Sequence, residues 1–290
     1  MDMTPECVWP AGALLGEGPV WHDDERRFYW VDVEAGLVHS WDPASGSRGT
    51  WPVGETIGGL AVRRRGGFVA ALRGGFAFLT LEPFAIERIA QPEPDLPDNR
   101  FNDAKCDAAG RFWAGTMNAR LTAATGWLYR LDPDLRWSRH DGPYVCTNGP
   151  AFSPDGRTLY HTDTVGRTIW AFDLAADGEP TYKREFARFA AGEGQPDGMT
   201  VDAGGDLWVA HWGGGRITRF EPDGRRRATI RLPVAQVTSI AFAGAGSRLV
   251  CVTTALTGLD AAQRAAQPYA GGLFAFEVDA EGLAAGTFAG

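Results

Sequence analysis

Glu17-Gly18, Asn148-Gly149 and Asp197-Gly198 each set an oxygen-bearing side chain directly before glycine in this 290-residue chain. A fourth polar residue, Asn102, stands in the run Arg100-Phe101-Asn102-Asp103. Two carboxylates and two carboxamides form an all-oxygen donor set. Such a set suits a hard or borderline divalent cation, Ca²⁺, Mg²⁺ or Mn²⁺, and is compatible with Fe²⁺ or Zn²⁺. The two carboxylates balance the charge, and about three or four protein ligands leave positions for water and substrate. A cation held this way polarises an ester carbonyl and lowers the pKa of water towards about 7. A carboxylate beside that water takes its proton. Asn-Gly and Asp-Gly are also common turn dipeptides. The chemistry therefore depends on whether the fold brings these phrases together.

The elements that must position them follow a repeat. An apolar strand, a Gly/Asp turn and a second strand rich in Trp, Tyr and Phe recur in GPVWHDDERRFYWVD (18–32), GLAVRRRGGFVAAL (59–72), DAKCDAAGRFWAGT (103–116), GPAFSPDGRTLYHTD (149–163), GMTVDAGGDLWVAHW (198–212) and SIAFAGAGSRLVCVTT (239–254). A third strand follows each, as in LVHSWDP (37–43) and TIWAFDL (168–174). The apolar anchors Trp21, Val62, Cys106, Phe152, Val201 and Phe242 are spaced by 41, 44, 46, 49 and 41 residues. Units of this length, built of three or four strands, read as propeller blades. One blade cannot bury both its faces; six stacked around an axis can, and their edges are protected. The expectation is an all-β, six-bladed β-propeller filling residues 1–290 as one domain. The segment around Cys7-Val8-Trp9 is expected to supply the outer strand of the last blade and close the ring. Two tandem β-sandwiches are the competing architecture, but sandwich strands are not paced so evenly.

Four residues before each anchor stand Glu17, Gly58, Asn102, Asn148, Asp197 and Thr238. The first strand of a blade lines the axial channel, so these positions form a ring around it. Oxygen donors converging at one level of a tunnel are costly unless something satisfies them, and a divalent cation does so. His161 and Asp163 alternate on a strand and read either as groups orienting the site or as core and edge residues. Trp212 reads as a wedge between blades, with a ligand contact as the alternative.

The net charge of −8 removes global attraction to nucleic acid or an anionic membrane. Arg63-Arg64-Arg65 and Arg225-Arg226-Arg227 each adjoin glycine and read as solvated hairpin tips. Met1 to Leu15 lacks a basic start and is broken by Pro10 and Gly12, so no secretory leader is expected. No apolar run reaches the length of a membrane span. Cys7, Cys106, Cys146 and Cys251 are widely spaced, which suits reduced thiols in a cytoplasmic protein. There is no G-x-S-x-G elbow, P-loop or strand-to-helix GxGxxG, so serine-hydrolase and nucleotide-dependent mechanisms lack support.

The motifs LGEGPVW (15–21), RFNDAKCD (100–107), AGTM (114–117), TNGPAFSPDG (147–156), YHTDT (160–164) and PDGMTVD (196–202) are spread along the chain. In them the sequence resembles the SMP-30/gluconolactonase/regucalcin family. The run from CTNGPAFSPDG to WAFDL, with PYAGGLFAF (268–276), looks closest to bacterial aldonolactonases such as xylonolactonases. The resemblance implies a six-bladed propeller with one axial divalent metal that hydrolyses a sugar lactone to its aldonic acid. It implies Glu17, Asn148 and Asp197 as metal ligands, with Asp197 also the general base. Arg100 and Asn102 would contact the substrate, and Asn102 would approach the metal without being a constant ligand. Animal members carry an acidic substrate contact three residues after AGTM. Here Arg120 stands there, so their substrate preference does not carry over, and Asn118 is the nearby candidate for part of that work.

The expected partner is thus a small sugar lactone, and the expected state a monomer. Two readings compete: an aryl esterase or phosphotriesterase on the same scaffold, and a metal-binding propeller without activity. An apolar channel would favour the first. Arg100 and Asn102 argue against the second.

Overall fold

The computed structural model describes residues 3–290; Met1 and Asp2, the start of the segment read as lacking a leader, lie outside them. Strand β1 (Glu6–Trp9) comes first. Blade 1 is β2 (Gly16–His22), β3 (Arg27–Asp32), β4 (Leu37–Trp41) and β5 (Arg48–Pro52). Blade 2 is β6 (Ile57–Val62), β7 (Phe68–Leu72), β8 (Gly75–Leu81) and β9 (Phe84–Ala90). Blade 3 is β10 (Asn99–Cys106), β11 (Phe112–Asn118), β12 (Leu128–Leu131) and β13 (Trp137–Arg139). Blade 4 is β14 (Thr147–Phe152), β15 (Thr158–Asp163), β16 (Thr168–Leu174) and β17 (Pro180–Arg188). Blade 5 is β18 (Gln195–Val201), β19 (Leu207–Trp212), β20 (Arg216–Phe220) and β21 (Arg226–Arg231). Blade 6 is β22 (Val237–Phe242), β23 (Leu249–Thr254) and β24 (Leu273–Glu277), with the short helix α1 (Ala261–Ala266) before β24.

Each blade is an antiparallel meander, and the innermost strands β2, β6, β10, β14, β18 and β22 touch in a closed circle. β1 pairs with β24, so the N-terminal strand completes blade 6 as its outer strand. Closure is a physical requirement here: an unpaired β24 would present a free edge of N–H and C=O groups. Among the described residues no helix is long and apolar enough to cross a membrane.

The core lies between blades. Six apolar clusters span the six blade boundaries, from Tyr29, Leu60 and Phe68 between blades 1 and 2 to Trp30, Cys251 and Leu273 between blades 6 and 1. Trp113 and Trp208 are fully buried, and each indole N–H donates to an aspartate six residues earlier, Asp107 and Asp202, at 2.9 Å. The repeated phrase D-x-x-G-x-x-W is therefore a hydrogen-bond device that lets a large aromatic be buried with its polar atom satisfied. Trp212 behaves differently from the wedge expected of it: it is only half-buried, packing against the Leu15 and Ala255 cluster.

A feature absent from the repeat closes the far end of the channel. The C-terminal segment pairs at Gly282 with Asp202 of blade 5 and at Phe288 with Arg63 of blade 2. Phe288 is completely buried in the cluster between blades 2 and 3. Arg63, expected on a solvated hairpin tip, instead donates from Nε to the Gly290 carbonyl at 2.8 Å and lies over the Phe78 ring. The second basic run is ion-paired: Arg226 with Glu193, and Arg227 with Asp206. All four cysteines are free thiols; Cys106, Cys146 and Cys251 are buried and Cys7 is half-buried.

Candidate functional site

In every blade the pairing of the innermost strand with its neighbour slips by one or more residues. The slips fall between Glu17 and Val20, Ile57 and Gly59, Phe101 and Asp103, Asn148 and Ala151, Pro196 and Met199, and Val237 and Ser239. All six ring positions sit at these bulges. A bulge re-aims side chains that a regular pleat would send into the blade interfaces. The glycines serve this geometry in two ways. Gly18 (φ 53°) and Gly149 (φ 73°) take the left-handed backbone conformation. At Gly198 a β-carbon would stand 2.2 Å from Ser239 Oγ, so the smallest residue lets blades 5 and 6 approach.

The bulges bring Glu17, Asn102, Asn148 and Asp197 together, all buried. The charge of Asp197 acts on the Glu17 carboxyl. Asp197 Oδ1 is buried with no hydrogen-bond partner in the protein. Glu17 Oε2 accepts from the Gly18 N–H at 3.1 Å. Burial, then the charges of Asp197 and Asp103, push the Glu17 carboxyl well above its usual range. Burial, then the charge of Asp103, does the same to Asp197. Two carboxylates forced together out of water need a cation or a shared proton.

The carboxamides are oriented by a chain of hydrogen bonds crossing three blades. Arg100 Nη1 donates to Asn102 Oδ1 at 2.8 Å. Asn102 Nδ2 donates to the Thr147 carbonyl at 2.8 Å and to Asn148 Oδ1 at 3.1 Å. Asn148 Nδ2 donates to Thr164 Oγ1 at 2.9 Å, and the Thr164 hydroxyl donates to the Pro196 carbonyl at 3.0 Å. Asn148 thus has its oxygen turned away from Thr164, with one lone pair remaining. Asn102 Oδ1 accepts from Arg100 and likewise keeps one lone pair, while its amide N–H helps to orient Asn148.

The other ring positions do structural work. Thr238 Oγ1 donates to the Gly16 carbonyl at 2.5 Å, tying blade 6 to blade 1. A β-carbon on Gly58 would lie 2.6–2.7 Å from the backbone of Phe101 and Asn102. Asn118 is buried near the site, but its Oδ1 accepts from the Thr122 N–H and hydroxyl at 3.1 and 3.2 Å and so braces the loop after β11. Arg120 turns outward to Asp98 at 3.0 Å. His161 is a core residue: its Nδ1 pairs with Asp141 at 3.0 Å, and Asp141 also accepts from Tyr144 and Lys183. Asp163 caps a turn by accepting from the Gly166 N–H.

Two residues of the channel escape a reading by ring position. Asp103 Oδ1 accepts from the Ala104 N–H at 2.7 Å and Oδ2 from the Gly149 N–H at 3.0 Å, so this carboxylate braces the backbone beside Asn148. Lys105 Nζ donates to the Met199 carbonyl at 2.6 Å. Their sequence signal is a carboxylate and an ammonium two residues apart on one strand, in DAKC.

Among the described residues no three His, Cys, Asp or Glu side chains cluster to hold a metal ion. The donor set is instead two carboxylates and one carboxamide. It fits a hard divalent cation on three counts: Asp197 Oδ1 is orphaned, the carboxylates repel, and Asn148 is held oxygen-inward.

Residues 15–256 match the family model described as "SMP-30/Gluconolactonase/LRE-like region". The chain is 37% identical over its whole length to a 6-deoxy-6-sulfogluconolactonase of Pseudomonas putida, which it also covers completely. It is 36% identical to an L-arabinolactonase of Azospirillum brasilense, over 95% of this chain and 92% of that one. The structure of a calcium-binding protein, regucalcin, from Agrobacterium tumefaciens superposes with a TM-score of 0.94 at 27% identity, over 99% of this chain and 97% of that one.

Proposed function

The chain belongs to the SMP-30/gluconolactonase/LRE-like family, and on that premise we propose that it hydrolyses a sugar lactone to the aldonic acid with one divalent ion held by Glu17, Asn148 and Asp197. The observation that carries this reading is the buried, unpartnered Asp197 Oδ1, in a channel where its charge acts on Glu17 and Asn148 is held by Asn102 and Thr164. The names of the Pseudomonas and Azospirillum relatives point to sugar lactones as the substrate class.

When bound, such an ion supplies Lewis acidity to the lactone carbonyl and lowers the pKa of water. The protein's own residues do the rest. Asp197 takes a proton from the attacking water as its oxygen bonds to the carbonyl carbon. The ring C–O bond breaks, and the same proton passes to the departing ring oxygen. Arg100 keeps guanidinium N–H groups beyond those given to Phe101 and Asn102, and these orient the sugar hydroxyls. The buried wall around Glu17 and Asp197 excludes bulk water, which strengthens each of these interactions. We read the protein as a cytoplasmic enzyme working as a monomer.

The test is turnover of xylono-, arabinono-, galactono- and gluconolactone by metal-stripped protein with single metals restored, spontaneous hydrolysis subtracted. Metal-dependent turnover of at least one lactone is expected. Rates equal to buffer with every metal overturn the reading and shift weight to aryl esters and phosphotriesters on the same scaffold.

A further inference from the structure

One level below the proposed ligands the channel holds an ammonium group that the reaction does not use. β10 carries Asp103 and Lys105 two residues apart. Lys105 reaches across to β18, where its Nζ donates to the Met199 carbonyl, two residues beyond Asp197. Asp103 and Glu17 are the negative charges acting on Lys105, and Asp103 acts in turn on Glu17 and Asp197. A cavity of about 250 Å³ opens beneath them, lined by Asp103, Lys105, Thr200 and Ser239 and floored by Leu283–Gly286 of the C-terminal segment.

Lys105 is half-buried, and drawing an ammonium even partly out of water costs free energy that a methionine of similar shape would not incur, unless partners compensate. The direct partner here is the Met199 carbonyl; the carboxylates whose charge acts on the ammonium are Asp103 and Glu17, and Asp103 spends both oxygens on backbone N–H groups. Apart from Arg100 at the rim, three carboxylates and one ammonium leave two net negative charges, which one divalent ion neutralises. We propose that Lys105 is a positioning residue acting as a built-in counter-cation. Its ammonium, anchored on the Met199 carbonyl beside Asp103, offsets part of the channel's negative charge in metal-free protein, and its charge sets the affinity for the divalent ion below what the carboxylates alone would give. This rests on the reading of Glu17, Asn148 and Asp197 as ligands.

The experiment is calorimetric titration of Ca²⁺ and Mn²⁺ into metal-stripped wild type, Lys105→Met, Lys105→Arg and the double variant Asp103→Asn/Lys105→Met, with thermal unfolding of each metal-stripped protein. Losing a like charge from the channel should tighten binding in Lys105→Met by roughly tenfold. The same variant should have a lower Tm without metal and gain more on adding it. Lys105→Arg should stay within about threefold of wild type, because the charge remains. The double variant removes one charge of each sign and should return towards wild-type affinity. A folded Lys105→Met protein that binds both ions no more tightly than wild type overturns the proposal and leaves Lys105 a packing residue. If Lys105→Met does not fold, the double variant carries the test: recovered folding with near wild-type affinity supports the proposal, and failure to fold as well sinks it. If no protein, wild type included, binds either ion, the ligand reading fails by itself. The counter-cation role is then read from metal-free Tm alone, where the double variant must exceed Lys105→Met.

Discussion

Asn102 donates its amide N–H to Asn148 Oδ1 at 3.1 Å while its own oxygen is held by Arg100 at 2.8 Å. The two carboxamides occupy equivalent bulges in neighbouring blades, and the first helps to orient the second. Groups that orient a ligand typically matter about 10- to 100-fold in metal affinity. Asn102→Ala should therefore weaken Ca²⁺ or Mn²⁺ binding by about tenfold or more, measured by calorimetry, with little change in metal-free Tm. Affinity equal to wild type would mean that Thr164 alone suffices to orient Asn148.

Asp197→Asn separates chemistry from folding. The carboxamide is nearly isosteric and relieves repulsion with Glu17, so the metal-stripped variant should unfold at an equal or higher temperature. Without the proton acceptor, kcat should fall by about 10²-fold or more. Retention of half the wild-type kcat at saturating metal would show that Asp197 is a ligand only and that the proton goes elsewhere.

Arg100→Ala removes donors aimed at the mouth of the channel and frees Asn102 Oδ1. Charged hydrogen bonds to substrate contribute about 1.5–3 kcal/mol each, so KM should rise by roughly tenfold or more while kcat changes less. Steady-state kinetics on the best lactone of the panel decides it. An unchanged KM with a depressed kcat would move Arg100 from binding to the chemical step.

The architecture was legible because propeller blades repeat. Anchors spaced by 41 to 49 residues set the blade count, and the leftover Cys7-Trp9 segment had one free edge to fill. The ring positions, among them Glu17, Asn148 and Asp197, share a feature visible only in three dimensions: counting back four residues from the anchor lands on the bulge of each inner strand. The same arithmetic offered Gly58 and Thr238, which serve blade packing, because equivalence of position does not fix where a side chain spends its hydrogen bonds. Asp103 and Lys105 fell outside the ruler. Beyond the bulge the strand is out of step, so their approach to Gly149 and Met199 is a long-range pairing that no local spacing encodes. The C-terminal segment under the channel was invisible for a similar reason: it belongs to no repeat and is held by contacts to blades 2 and 5.

The pH dependence of the metal-stripped protein tests the electrostatics of this channel. Burial pushes the Asp103 carboxyl up to about 6, against the opposing charge of Lys105 and two backbone N–H groups. In the unfolded chain the same group titrates near the ordinary value of about 4. Between these values the folded protein keeps a proton that the unfolded chain has released. The resulting stabilisation is fully present below about pH 4 and is lost as the pH rises through about 6. Glu17 and Asp197 are displaced in the same direction and extend the loss to higher pH. Asp141 acts the opposite way: hydrogen bonds from His161, Lys183 and Tyr144 outweigh its burial and hold it far below the usual carboxylate range, so it destabilises the fold only in strong acid. Comparison with Asp103→Asn cancels every slope but that of Asp103 and of its coupling to Glu17 and Asp197. The Tm of wild type minus that of Asp103→Asn should fall steadily from pH 4 to pH 7. Saturating Ca²⁺ should flatten the remaining slope, because a bound cation favours the deprotonated ligands and binds only the folded chain. A difference that stays constant across that range would mean that Asp103 is ionised throughout, with Lys105 compensating its burial in full.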